Sequence, residues 1–129
     1  MDNHSILIVD DDDDVRKMLC FVLSAEGYAA VEAHDGVEAL ELMDTDGPPA
    51  LAVVDLMMPR MDGEELIRKM RQNPALAETP IAVVSGRATP STGLAVGAHL
   101  VKPVEIGELL AVVHRLSGVA AVQTVKGGR

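Results

Sequence analysis

Side chains that can bind a cation or hold a phosphate oxygen follow four short apolar runs of the sequence. They are Asp10 and Asp11, Asp55, Ser85 and Lys102. Carboxylates, waters and phosphate oxygens are the usual ligands of Mg²⁺, a hydroxyl can donate a hydrogen bond to a phosphate, and an ammonium group pairs with its charge. If the fold brings these five residues together, they form a site for a divalent cation and for an anion beside it.

The elements that must position these residues appear as apolar runs that alternate with helical patterns. The runs predicted as strands lie at residues 6–9, 28–33, 51–54, 81–84 and 99–101. Apolar residues recur between and after them at the spacing of one helix face, as Val15, Met18, Leu19 and Val22, as Val37, Leu40 and Met43, as Leu66, Ile67 and Met70, and as Ile106, Leu109, Leu110 and Val113. Continuously apolar strands that alternate with amphipathic helices predict an α/β fold with a doubly wound, five-stranded parallel sheet.

The strand order decides which of the polar residues meet. Ligands bind beyond the carboxyl ends of the strands where the order reverses, and in the order 2-1-3-4-5 this point lies between strands one and three. Neighbouring strands are about 4.8 Å apart, so we expect Asp10, Asp11 and Asp55 to converge. Ser85 follows the strand next to Asp55, whereas Lys102 is two strands away and needs its long side chain to span about 10 Å. The second strand contributes no obvious functional residue.

Composition limits the class of protein. The chain has 129 residues, a net charge of −9 and one cysteine, which predicts a single domain over residues 1–129 with a core at about 5–117 and a C-terminal tail at 118–129. The acidic excess disfavours binding to nucleic acid or to an anionic membrane. Because Cys20 is the single cysteine, the chain cannot have a disulfide framework, and we expect this residue to be a small buried hydrophobic side chain. A polar N-terminus and the lack of a long apolar run predict a cytoplasmic protein.

Several motifs, in this order and spacing, resemble the receiver domain of bacterial response regulators, as in the chemotaxis regulators. The matching segments are residues 6–11 (ILIVDD), 53–59 (VVDLMMP) with 62–63 (DG) after them, 82–86 (AVVSG) and 102–103 (KP). The resemblance covers about residues 5–117. It implies a flavodoxin-like fold and a phosphoprotein of a two-component or phosphorelay system, which carries an aspartyl phosphate and signals to a partner through a conformational switch.

The resemblance also implies a role for each residue of the acidic set. Asp55 corresponds to the phosphoacceptor, and Mg²⁺ is the implied cofactor. Asp11 resembles the direct metal ligand, Asp10 the acid that helps to hold the ion through water, and the backbone carbonyl of Met57 a further protein ligand. The implied phosphodonor is a phosphohistidine on a sensor histidine kinase or a phosphotransfer protein.

The remaining implied roles concern the phosphoryl group and the switch. Ser85 corresponds to the residue that hydrogen-bonds the phosphoryl group and moves toward it, and Lys102 to the cation that pairs with it. His99 occupies a place where the family commonly has an aromatic switch residue, and we expect it to set the balance between the inward and outward states. Arg87, two residues past Ser85, either hinders the water that hydrolyses the acyl phosphate or is a solvated loop residue.

The sequence departs from the family between Ser85 and Lys102. This segment is several residues shorter than usual, and its composition predicts a fourth helix that is short, irregular or missing. The change falls on the surface that the family uses for output, so it puts the usual signalling route in doubt. The sequence does not specify the kinase, the output partner or the oligomeric state.

Two other functions are compatible with parts of the sequence. Asp11, Asp13 and Val15 match the D-x-D-x-V pattern of haloacid-dehalogenase-type phosphatases, but this interpretation leaves Asp55 unexplained. A receiver fold that binds partners without phosphorylation is the second alternative. We favour the phosphoacceptor, which is a signalling domain rather than a turnover enzyme and catalyses only its own phosphoryl transfer and slow dephosphorylation.

Overall fold

A computed structural model describes residues 4–58, 60–86 and 95–118 of the chain. Its strands are β1 (Ser5–Val9), β2 (Ala29–Ala33), β3 (Leu51–Asp55), β4 (Ile81–Ser85) and β5 (Ala98–Val101). Its helices are α1 (Asp13–Ala25), α2 (Gly36–Asp46), α3 (Gly63–Gln72) and α4 (Ile106–Ser117). None of the helices in these described ranges is long and apolar enough to cross a membrane.

The five strands form one parallel sheet in the order β2-β1-β3-β4-β5. The predicted fold class and strand order are therefore confirmed. β1, β3 and β4 are buried along their whole length, as the uninterrupted apolar runs indicate, because helices cover both faces of the sheet. The reversal of strand order lies between β1 and β3, which places the ends of these two strands at the expected binding edge.

Alternate residues of each strand contribute to two separate cores, as the two-residue period of a strand requires. Ile6 and Ile8 of β1 pack with α1 and α4, and the Cys20 side chain is buried in this core as expected. Leu7 and Val9 face the other way and pack with α2 and α3. The sheet is thus held between two pairs of helices, and its carboxyl edge stays open for polar groups.

The buried face of α1 differs from the predicted one. Met18 was expected on that face but is 40% exposed, whereas Arg16 is only 7% exposed. The helix is turned so that the Arg16 guanidinium donates to the buried Asp10 carbonyl and to the more exposed Glu32 carboxylate, and these hydrogen bonds compensate for its burial. At α4, Ile106 is also exposed, because it is the first residue of the helix, while Leu109 and Val113 are buried.

Two predictions fall on residues outside the described ranges. The expected short or irregular helix between β4 and β5 concerns residues 87–94, and the expected tail concerns residues 118–129, of which only Gly118 is described. Both stay predictions, as does the assignment of residues 1–129 to a single domain.

Candidate functional site

Three carboxylates meet at the carboxyl edge of the sheet. Asp10 and Asp11 follow β1 and Asp55 ends β3, and one oxygen of each lies within 4.8 Å of the others. Asp10 and Asp55 are each 2% exposed, whereas Asp11 is exposed to solvent. Carboxylate oxygens at this separation match the donor set that a hard divalent cation prefers, so the residues fit Mg²⁺.

The two oxygens of Asp55 have different partners. Oδ1 accepts a hydrogen bond from the backbone N–H of Met57 at 3.1 Å, and Oδ2 lies 3.3 Å from Nζ of Lys102. The Leu56 N–H donates to the Val84 carbonyl at 3.0 Å and extends the β3–β4 pairing past the acid. The carboxylate is therefore held in one orientation at the end of a rigid strand, with a cation on one side.

Burial destabilises the charged form of the Asp10 carboxyl. The pKa of its carboxyl is raised from 3.8 to about 6, chiefly because burial disfavours the charged form, while the backbone N–H of Asp12 opposes the shift by donating to Oδ1 at 2.9 Å. The nearby charge of Asp55 raises the pKa further, and Lys102 lowers it. A divalent cation beside this carboxyl would relieve the repulsion that the fold builds in.

The Lys102 side chain reaches across β4 from the end of β5 to the acids. Its Nζ lies 3.3 Å from Asp55 Oδ2 and 3.8 Å from Asp10 Oδ2. Its backbone N–H donates to the Ser85 carbonyl at 2.7 Å, which fixes the end of β5 against β4. Burial lowers the pKa of the ammonium group, but the charges of Asp10 and Asp55 raise it overall, so the group stays charged. The predicted reach of this side chain is what the structure shows.

Ser85 and His99 are joined directly. The Ser85 hydroxyl and Nε2 of His99 are 2.8 Å apart, and Ser85 is 4% exposed. In the sheet register His99 lies opposite Val83, two residues before Ser85, so both polar side chains project from the same face of the sheet. The structure thus brings His99 into contact with a residue of the predicted site rather than leaving it free in solvent.

The loop after β3 packs closely on the strand end. A Cβ at Gly63 would lie 2.5 Å from the Asp55 carbonyl oxygen, so only glycine fits there. The Gly63 N–H donates to the Leu56 carbonyl at 3.1 Å, and Asp62 caps α3 through the Glu65 N–H at 2.9 Å. The Met57 side chain, 74% exposed, points away from the core. Arg87 lies outside the described residues.

Sequence reasoning missed a group of charged residues on the other flank of β1. Arg16 of α1 binds Glu32 of β2, so the second strand supplies a charged partner that the sequence did not single out. Asp35, 2% exposed, caps α2 and has Arg60 at 3.4 Å. These residues line a hollow of about 480 Å³ next to Asp11. The sequence signal that could have revealed them is Arg16, which lies on the otherwise apolar face of α1 that carries Leu19, Cys20 and Leu23.

Comparison with known proteins gives a consistent picture. The family model described as a response regulator receiver domain matches residues 6–114. Response regulator MprA of Mycobacterium ulcerans (strain Agy99) is 48% identical over 111 residues, covering 82% of this chain and 47% of that protein. MprA of Mycobacterium tuberculosis (strain H37Rv) is 47% identical over the same length. The chain spans about half the length of the curated relatives it matches.

Solved structures agree with the family match. The chemotaxis protein CheY4 of Vibrio cholerae has a TM-score of 0.80 at 28% identity, over 89% of this chain and 99% of that one. A putative response regulator from Chloroflexus aurantiacus J-10-fl has a TM-score of 0.82 at 32% identity, over 91% and 99%. Neither the family match nor these relatives support the phosphatase alternative.

Proposed function

This chain belongs to the family of response regulator receiver domains, and from that premise we propose that Asp55 accepts a phosphoryl group in a Mg²⁺-dependent reaction. The observation that carries the proposal is the position of the Asp55 carboxylate. It ends the central strand of the sheet, with Asp10 and Asp11 on one side and the Lys102 ammonium group 3.3 Å away on the other. Asp10 is equally buried, but it follows β1 rather than ending the central strand, and it lies farther from the Lys102 ammonium group, at 3.8 Å.

The proposed reaction needs a nucleophile, a cation and a positive partner for the transferred group. A carboxylate oxygen of Asp55 forms the new O–P bond while the N–P bond of a donor phosphohistidine breaks, and the electron pair returns to the imidazole nitrogen. Asp10, Asp11, Asp55 and the carbonyl of Met57 would hold the metal. When bound, Mg²⁺ would neutralise the clustered carboxylates and the phosphoryl oxygens. Lys102 pairs with the phosphoryl group once it is bound to Asp55.

The same geometry supports a switch at Ser85. Ser85 is joined to His99, and its strand is the neighbour of β3. A phosphoryl group on Asp55 offers new acceptor oxygens to the Ser85 hydroxyl, so the hydroxyl turns toward it and its relation to His99 changes. This local rearrangement is how a charge added at one point biases a two-state element.

We infer the partners from the family. The phosphodonor is a sensor histidine kinase or a phosphotransfer protein, and the output partner is a protein or domain that this sequence does not identify. The chain acts as a signalling domain whose chemistry is limited to its own phosphorylation and slow dephosphorylation. Asp13, which a phosphatase would use as acid/base, instead lies in α1 with its carboxylate 2.6 Å from Arg16.

Intact mass spectrometry with acetyl phosphate and Mg²⁺ tests the proposal. The wild-type chain should gain the mass of one phosphoryl group, and hydroxylamine should remove it, since acyl phosphates are sensitive to that nucleophile. Asp55→Asn should gain nothing, whereas Asp14→Asn, an exposed acid of the same edge, should behave as wild type. Phosphoryl uptake by Asp55→Asn, or a Mg²⁺-independent gain by the wild type, would disprove the assignment.

A further inference from the structure

We propose that Arg16 is a positioning residue for the metal site: it fixes the peptide of Asp10 and thereby the direction in which the β1–α1 loop presents the carboxylates of Asp10 and Asp11. The inference deepens the proposed function, since it takes Mg²⁺ as the ion of that site. The contacts of Arg16 are with the Asp10 carbonyl and the carboxylates of Glu32 and Asp13, so it acts on the metal site through the backbone.

The guanidinium of Arg16 is buried and tied to three different elements. Nη1 donates to the backbone carbonyl of Asp10 at 2.9 Å, Nε donates to Glu32 Oε1 at 2.9 Å, and Nη2 donates to Asp13 Oδ1 at 2.6 Å. The residue is 7% exposed. One side chain therefore joins the end of β1, the first turn of α1 and the edge strand β2.

These contacts complete the fixation of Asp10. Its backbone N–H donates to the Ala33 carbonyl at 3.1 Å, and its carboxylate accepts from the Asp12 N–H at 2.9 Å. Arg16 holds the third polar group, the carbonyl. With all three held, the peptide that connects Asp10 to Asp11 has a single orientation. Without Arg16 this peptide could rotate, and the Asp11 side chain, which is exposed to solvent, would turn with it.

Charge alone does not explain the residue. A cation near a Mg²⁺ site weakens metal binding by repulsion, so an arginine with only an electrostatic role would oppose the ion. Here the Glu32 and Asp13 carboxylates offset its charge, while Lys102 supplies the cation on the opposite, Asp55 side of β1. A purely electrostatic role therefore predicts no change in Mg²⁺ binding when the charge is kept, whereas a positioning role predicts weaker binding when the guanidinium is replaced by an ammonium group.

The geometry also requires arginine rather than lysine. A planar guanidinium presents donors in fixed, divergent directions, whereas an ammonium is a point charge on a flexible stem. Three acceptors on three elements match the fork. Arg16→Lys keeps the charge and most of the volume but cannot reproduce the three contacts, so it separates position from charge.

The experiment is a Mg²⁺ titration of the whole chain, followed by NMR chemical shifts of the β1–α1 loop, with unfolding curves for each variant. Arg16→Lys should bind Mg²⁺ about tenfold more weakly than wild type, which is the lower end for losing a residue that orients a metal ligand. Lys17→Gln is the matched control, because it removes a neighbouring cation that also lies near Glu32, at 3.5 Å, but does not contact Asp10. It should bind Mg²⁺ as well as wild type or slightly better.

A second variant guards against loss of folding. Glu32→Gln keeps an acceptor for Arg16 but removes its charge, so the fold should persist and Mg²⁺ should bind about threefold more weakly, as expected for weakening one charge-assisted hydrogen bond. Unchanged or tighter Mg²⁺ binding by Arg16→Lys or by Glu32→Gln would overturn the inference. Phosphoryl uptake is measured separately at saturating Mg²⁺: if the wild type binds Mg²⁺ but accepts no phosphoryl group, the proposed function fails while the role of Arg16 stands.

Discussion

A buried arginine, Arg16, and a partly buried one, Arg71, lie at opposite edges of the sheet, and their partners differ in kind. Arg16, at the carboxyl edge, binds two carboxylates and one carbonyl. Arg71, at the amino edge, donates to carbonyls alone: Nη1 to Ala77 at 3.1 Å and Thr79 at 2.8 Å, and Nε and Nη2 to Ala95 at 3.1 and 2.9 Å. Burial lowers the pKa of Arg71, whereas Glu32 and Asp13 raise that of Arg16 in spite of its burial.

The difference shows how the two edges divide stability and function. At the amino edge a cation satisfies the backbone of the segments that enter β4 and β5, and no buried acid is left beside it among the contacts described above. At the carboxyl edge the fold keeps Asp10 and Asp55 buried side by side, with the Lys102 ammonium group 3.3 Å from Asp55 and 3.8 Å from Asp10. This edge therefore gives up stability for a site that a cation can complete.

Replacing Asp10 by Asn should have the largest effect and should change stability and function in opposite directions. Without metal at pH 7 the buried carboxylate is held ionised against a pKa of about 6. Asn keeps the acceptor for the Asp12 N–H and removes the charge, so the free energy of unfolding should rise by up to about 3 kcal/mol, at about 1.4 kcal/mol per pKa unit. Mg²⁺ binding should be lost. Urea unfolding and a metal titration measure the two quantities.

The control for Asp10→Asn is Asp14→Asn, at an exposed position of the same edge. It should leave both Mg²⁺ binding and the free energy of unfolding nearly unchanged. A metal-free Asp10→Asn protein that is no more stable than wild type would show that this edge stores no electrostatic strain, and the contrast between the two edges would disappear.

Arg71→Met tests the other edge. We expect the free energy of unfolding to fall by about 2–3 kcal/mol, because three backbone carbonyls lose a charged donor. The Mg²⁺ affinity should stay within a factor of about two, since Arg71 lies at the far end of the strands. A twofold change corresponds to about 0.4 kcal/mol, which is within ordinary titration error. Arg68→Met, an exposed cation of the same helix, should change neither quantity. A clear loss of Mg²⁺ affinity in Arg71→Met would mean that the two edges are coupled.

The sequence predicts the strands and the acids of this site well, but it does not predict the residues that hold them in position. The runs that become β1, β3 and β4 are recognisable because both faces of each strand are buried, and an acid or hydroxyl after such a run is conspicuous. Arg16 and Glu32 carry no such mark. Their contact depends on how α1 is rotated about its axis. In the structure that rotation buries Leu19, Cys20 and Leu23 and brings Arg16 to the Asp10 carbonyl, a backbone group that looks the same in every sequence. The prediction that Met18 is buried, which rested on the helical period, was wrong for the same reason.

The pH dependence of Mg²⁺ binding separates the edges without a mutation. Below about pH 6 the Asp10 carboxyl holds a proton that Mg²⁺ must displace. The affinity should therefore fall about tenfold between pH 7 and pH 5, or about 1.4 kcal/mol. The stability of the metal-free protein should change in the opposite direction. Because the pKa of Asp10 is raised in the folded state, its free energy of unfolding should increase as the pH falls from about 6 toward 3.8, the ordinary pKa of the group. Calorimetry and urea unfolding across this range check both slopes, and a Mg²⁺ affinity that is constant from pH 7 to 5 would contradict the assignment of Asp10.

The smallest effect is expected at the Ser85–His99 contact, where the carboxyl edge meets β5. His99→Phe removes the partner 2.8 Å from the Ser85 hydroxyl but keeps a ring of similar shape. If the hydroxyl must leave His99 to reach the phosphoryl group, the variant no longer breaks that hydrogen bond, which is worth about 0.5–1.5 kcal/mol. Beryllofluoride, a phosphoryl mimic, should then bind about two- to tenfold more tightly. In a Ser85→Ala background the same His99→Phe change should have no effect, because the contact is already absent. Weaker binding by His99→Phe alone, or an equal effect in both backgrounds, would show that His99 does not compete for Ser85 and that the switch at this edge uses another element.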